Sequence, residues 1–180
     1  FVIDVDDDSP TAVIPPRDPE NPNDPPPPLL GGAVDEDDLP EGNSDVAPGD
    51  DLADPSSTTV GGAAGSLAAL FNAGADQPLT YFLTAIPANL PELTSNDHEV
   101  LYTVNAGTGV LTGYADLNDD GLANDGDGSK VFTLTVGEDG SWSFELQGQL
   151  DHPDTTTEDN LLLDFSGAIT AVDADGDPVA

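Results

Sequence analysis

Thirty-six acidic side chains face two basic ones, Arg17 and Lys130, in this 180-residue sequence, a formal net charge of −34 at pH 7. A chain so unbalanced repels itself when compact, so it folds only if its acids are confined to solvated loops or met by cations. Eight of the acids are Glu, leaving 28 Asp. That bias is informative, because Glu suits helices whereas Asp suits turns, caps and metal loops. With 19 Gly and 17 Pro besides, a helical bundle is excluded. Nucleic acid and anionic membrane surfaces are excluded as direct partners, since their phosphates would be repelled and no basic patch is present. The absence of Cys removes disulfides, thiolate metal sites and cysteine nucleophiles.

High charge with low hydrophobicity is also the signature of disorder, and the first third of the sequence fits it. The remainder carries β-branched and aromatic runs at strand spacing, with its acids gathered between them. Acids clustered in this way are compatible with folding around a hard cation with oxygen ligands, of which calcium is the natural candidate. No stretch approaches the roughly 18 apolar residues of a membrane-spanning helix.

Three regions follow. Residues 1–9 combine a short strand, Phe1-Val2-Ile3-Asp4-Val5, with the acidic run Asp6-Asp7-Asp8. Residues 10–30 read as a linker, since Pro15-Pro16, Pro19, Pro22 and Pro25 to Pro28 favour extended polyproline II. Residues 31–180 read as a β-sandwich, beginning with a Gly/Asp/Ser-rich loop over 31–65. Strands are expected over 79–84, 100–104, 110–115, 130–136 and 141–147, with shorter runs at 161–165 and 168–172. Residues 66–71 are ambiguous between a helical turn and a buried strand. In 141–147, Trp142, Phe144 and Leu146 share one face, and Gly137-Glu138-Asp139-Gly140 forms the hairpin turn from the preceding strand. Several short strands with Gly/Asp turns predict an all-β sandwich. The lack of Met and the strand-like beginning and end suggest a segment of a tandem array, in which 1–5 pairs with its own sandwich or with a neighbouring copy.

The sharpest motif runs from Asp116 to Asp127. Set on the twelve-residue calcium loop, Asp116, Asn118 and Asp120 fill positions 1, 3 and 5, and Gly121 fills the sharp-turn position. Leu122 would offer its carbonyl, Asn124 stands at position 9, and Asp127 stands where a Glu is usual. An Asp- and Gly-rich hairpin tip is the alternative reading. Asp173, Asp175 and Asp177 form a second alternating set around Gly176. They need further oxygens from backbone or another loop to complete a calcium shell, and a plain turn is the alternative. A third set comprises Asp4, Asp6, Asp7 and Asp8, closed by Asp35, Glu36, Asp37 or Asp38; adjacent like charges stay packed only around a cation, or else form a hydrated linker.

Catalytic machinery is sparse. His98 and His152 are the only histidines, both expected in polar loops, with Asn96-Asp97 read first as a turn. Acids abound, but no cleft-forming aromatic set accompanies them as a glycosidase would require. Trp142 reads as core. The expectation is therefore of a protein that is not an enzyme.

Val34-Asp35-Glu36-Asp37-Asp38-Leu39-Pro40-Glu41-Gly42-Asn43 resembles the opening of repeats in giant bacterial adhesins of the RTX type. So do Gly65-Ser66-Leu67 through Gly74-Ala75-Asp76, Leu93-Thr94-Ser95, Val131-Phe132-Thr133-Leu134, Leu150-Asp151-His152-Pro153 and Asp173-Ala174-Asp175-Gly176-Asp177. Asp4 to Pro10 is similar to the junctions between such repeats. The resemblance implies an extracellular, cell-surface protein exported by type I secretion and built of tandem Ig-like or cadherin-like sandwiches stiffened by calcium. Its partners would be neighbouring copies, with a host or surface ligand carried elsewhere in the parent protein. The Pro-rich segment and the long loop at 116–127 depart from the compact repeat. They keep open a second reading, a calcium-dependent sugar- or peptide-binding adhesion module.

Overall fold

The computed structural model describes residues 10–15, 19, 29–36, 38–40, 57–84, 86, 92–123, 129–152 and 161–179. Eleven strands lie among them: β1 (Thr11–Ala12), β2 (Thr59–Gly62), β3 (Phe71–Asn72), β4 (Thr80–Leu83), β5 (Thr94–Ser95), β6 (His98–Asn105), β7 (Val110–Ala115), β8 (Ser129–Val136), β9 (Trp142–Leu146), β10 (Ile169–Val172) and β11 (Pro178–Val179). Two 3-10 turns, Ser66–Leu70 and Ser166–Ala168, complete the regular structure of the described residues. All strand pairs are antiparallel. The fold is an all-β sandwich, as the spacing of apolar runs predicts.

Of the two main sheets, the larger has six strands in the order β2-β9-β8-β7-β6-β5 and the smaller three in the order β11-β10-β4; β1 and β3 pair as a separate two-stranded ribbon. Strands β5 to β9 form an uninterrupted meander, and β2 joins it on the far side of β9. One hydrophobic core serves both sheets: Leu111, Phe132, Leu134, Phe144 and Leu146 from the larger, Tyr81, Leu83, Ile169 and Ala171 from the smaller. Inward and outward positions alternate as read in β9, where Phe144 and Leu146 are buried, Trp142 is half-buried, and Ser143 and Glu145 are exposed.

Phe132 is the centre of this core, with no exposed surface. Its ring stacks on Phe144 at 5.3 Å and meets Phe165 edge-on at 5.6 Å. Tyr102, Gly113 and Phe132 are register partners across β6, β7 and β8, and the Tyr102 and Phe132 rings approach to 6.1 Å. Gly113 makes that approach feasible, since a Cβ there would lie 2.8 Å from the Phe132 ring. The register between β7 and β8 slips beside Gly113, where Tyr114 pairs with Lys130 and Val131 is left over. Such a bulge disturbs strict alternation, and Val131 and Phe132 are both buried.

Three expectations are corrected here. The loop assigned to 31–65 contains β2, which pairs Thr59 with Glu145 and Val60 with Phe144; Gly61 and Gly62 masked it, yet a Cβ at Gly61 would meet the Trp142 carbonyl oxygen at 2.5 Å. Residues 161–165 form no strand. They keep a strand-like alternation, with Leu161, Leu163 and Phe165 packed on the core and Leu162 exposed, but belong to neither sheet. Periodicity reports which side is buried, whereas pairing depends on what lies alongside. His98 opens β6 rather than lying in a loop. The ambiguous 66–71 resolves into a 3-10 turn that buries Leu67, followed by β3.

The segment read as a Pro-rich linker touches the fold at its described ends. Thr11 and Ala12 pair with Asn72 and Phe71, the Val13 amide donates to the Leu70 carbonyl at 2.8 Å, and Leu30 packs against the core. The expected strand at 1–5 lies outside the described residues.

Candidate metal centre

The antiparallel register of the smaller sheet pairs Thr80 with Val172. It thereby sets the loop entering β4 beside the turn leaving β10. The Ala174 amide donates to the Asp76 carbonyl at 3.3 Å, so the two loops are already joined through backbone. One carboxylate oxygen each from Asp76, Asp173 and Asp175 lies within 4.8 Å of the others. Asp76 is half-buried, Asp173 buried and Asp175 exposed.

Asp173 anchors the turn between β10 and β11. Its Oδ1 accepts the amides of Gly176 at 3.0 Å and Asp177 at 2.8 Å, and its own amide donates to the Asp177 carbonyl at 3.2 Å. Gly176 takes a φ of 108°, which an L side chain rarely adopts. The residue is only 6% exposed, and its Oδ2 is buried with no hydrogen-bond donor upon it. Burial pushes the Asp173 carboxyl up, but its contact with the Asp175 side chain and the backbone amides of Asp177, Gly176 and Asp175 outweigh it and bring the pKa below the usual aspartate value. A buried, ionised carboxylate with one bare oxygen is costly unless a cation meets it. Of the three acids expected here, Asp173 and Asp175 converge; Asp177 supplies backbone to the turn, and Asp76 completes the triad. Nothing local in the sequence marks Asp76, because its proximity depends on the β4–β10 register.

In the 116–127 loop, Asp116 is likewise buried, at 5% exposure. Its Oδ2 accepts the Gly121 amide at 2.8 Å and its Oδ1 the Asp120 amide at 3.2 Å. Asn118 Oδ1 accepts the Asp120 amide at 3.2 Å, and Asp120 Oδ1 accepts the Leu122 amide at 2.8 Å. Positive φ at Asp119 (57°) and Gly121 (76°) closes the turn. The first half of the loop is thus folded around the Asp116 carboxylate, and these carboxylates do not form a converging triad among the described residues. Asn118 turns its amide nitrogen toward Asp120 Oδ2 at 3.3 Å. Asn124 and Asp127 lie outside the described residues.

Of the third set, Asp4, Asp6, Asp7, Asp8 and Asp37 also lie outside the described residues. Asp35 donates its amide to the Ser57 carbonyl at 3.0 Å and Asp38 is exposed; neither joins a group of three converging acids among the described residues. Glu36 has a structural task instead. Its Oε1 accepts the Leu150 amide at 2.8 Å and lies 3.7 Å from His152 Nε2. His98 Nδ1 lies 3.6 Å from Asp119 Oδ1, so the two histidines contact different carboxylates. Asp151 accepts the amides of Asn96 and Asp97 at 2.9 and 2.8 Å, holding a two-residue β5–β6 turn in which both φ are positive, 51° and 66°.

No family model matches the chain, and neither curated proteins nor solved structures give a match. Among the described residues, no helix is long and apolar enough to cross a membrane.

Proposed function

We propose that this protein is a calcium-stabilised β-sandwich module serving as a structural extender in a large extracellular bacterial adhesin or surface filament. The observation that carries the reading is the buried Asp173 carboxylate with its bare Oδ2, in a chain with almost no cations of its own. Lys130 and Arg17 cannot neutralise 36 acids, so the counter-charge comes from solution. A hard divalent cation suits the chemistry, since the donors are all oxygen. The resemblance to RTX-type adhesin repeats supplies the cellular setting, with copies of the same module as neighbours.

Among the described residues the exposed large apolar side chains are Ile14, Ile86, Leu117, Leu122 and Leu162. All are aliphatic, so no fully exposed aromatic ring among the described residues offers a sugar a stacking platform, although Phe82, Tyr102 and Trp142 are partly exposed. The test is thermal unfolding with calcium, with excess chelator, and with sodium chloride at matched ionic strength. Calcium should raise the melting temperature well beyond the salt control, and magnesium, which dehydrates reluctantly, should rescue poorly. An unchanged melting curve in excess chelator would overturn the proposal.

A further inference from the structure

The triad has an asymmetry that determines what an ion there would do. Asp173 and Asp175 belong to the β10–β11 turn, whereas Asp76 belongs to the loop between β3 and β4. A backbone hydrogen bond of 3.3 Å, from the Ala174 amide to the Asp76 carbonyl, joins the two loops. Three carboxylates within 4.8 Å of one another would otherwise push the loops apart, because like charges at that range repel. The buried, donor-free Oδ2 of Asp173 is independent evidence that the turn is built to receive a cation: Oδ1 already accepts both turn amides. Shared among loops far apart in sequence, an ion would act as a cross-link and not merely as a counter-charge.

We infer that Asp76, Asp173 and Asp175 together hold one calcium ion, which ties the β3–β4 loop to the β10–β11 turn at one end of the smaller sheet. The Asp177 amide and carbonyl shape the turn around Asp173. Asp175 is exposed, so water can supply oxygens beyond the three carboxylates. Calcium tolerates such mixed shells of about six to eight oxygens. This inference rests on the calcium reading proposed above and adds to it the ligand set and the contact that the ion governs.

The experiment counts calcium bound per chain by calorimetry and equilibrium dialysis, in wild type, Asp76→Asn, Asp175→Asn and the outward-facing charge control Glu145→Gln. Hydrogen exchange at the Ala174 and Asp177 amides is followed with and without calcium. Asp76→Asn and Asp175→Asn should each lose one equivalent, or weaken one site at least about tenfold, while Glu145→Gln keeps the wild-type number. In wild type, calcium should slow exchange at Ala174 and Asp177, and Asp76→Asn should abolish that protection. Wild-type stoichiometry, affinity and protection in Asp76→Asn would overturn the cross-link and leave the calcium reading standing. A wild-type chain that binds no calcium would overturn both.

Discussion

Single residues here matter through what they hold in place. Asp151 fixes the Asn96-Asp97 turn with one oxygen to each amide. Burial pushes its carboxyl up, but the Asp97 amide, the Thr94 hydroxyl, the Asn96 amide and His152 together bring it below the ordinary value. A carboxyl depressed on folding contributes stability that is fully present above its unfolded pKa, near 4, and lost as pH falls through the lower folded value. Asp151→Ala should therefore destabilise by about 1–2 kcal/mol at pH 7, and the gap to wild type should close as pH drops below about 4. Urea unfolding at several pH values measures it; a gap that persists undiminished at pH 2 would show that lost packing, not the charge, is responsible. Gly113 presents a steric case. An added methyl would lie 2.8 Å from the Phe132 ring and 3.1 Å from Val100, so Gly113→Ala should cost about 1–3 kcal/mol as an overpacked core position. Phe132→Ala should cost about 3–5 kcal/mol, and the pair should be non-additive because the two residues touch.

At the scale of elements, the β8–β9 hairpin was the most legible part of the sequence. Its turn closes with the Gly140 amide on the Gly137 carbonyl at 2.9 Å and the Ser141 hydroxyl on Asp139 Oδ1 at 2.6 Å. Gly140 carries a φ of 78°, and a Cβ there would lie 2.8 Å from the Tyr81 ring. The loop after β7 was legible in its first half, where alternating oxygen side chains wrap amides as spaced. Asp120→Ala tests whether that fold serves an ion: under the calcium reading it should remove one bound equivalent by calorimetry while the other sites remain. If the variant binds as many ions as wild type, the loop is a hairpin tip only. Element β2 was not legible, because Gly61 and Gly62 dilute the strand propensity of Thr59 and Val60. It is recruited by the open edge of β9, with which all four residues pair.

The whole molecule must fold against its own charge. If one site binds calcium at about 10⁻⁴ M, then about 10 mM calcium stabilises the fold by about 2.7 kcal/mol per site, a sizeable part of a usual margin of about 5–15 kcal/mol. In a tandem of two copies, calcium should also stiffen the joint if the acids at Asp6, Asp7 and Asp8 sit between modules. Small-angle scattering should then give a longer, more rigid particle with calcium than with chelator. Equal maximum dimension and equal flexibility in both conditions would leave those acids as hydrated linker.

By itself the sequence determined the fold class and most of the meander, because alternation, Gly/Asp turns and the exclusion of acids from apolar runs are local properties. It also marked Asp173 and Asp116 as special, and both carboxylates are buried. Only the tertiary structure decided which acids meet. The pairing of Thr80 with Val172 brings Asp76 to Asp173 and Asp175, while Asp177 gives its amide and carbonyl to the turn. Likewise, β2 became a strand and 161–165 did not because strand pairing is a contract between two segments, and sequence periodicity specifies only one of them.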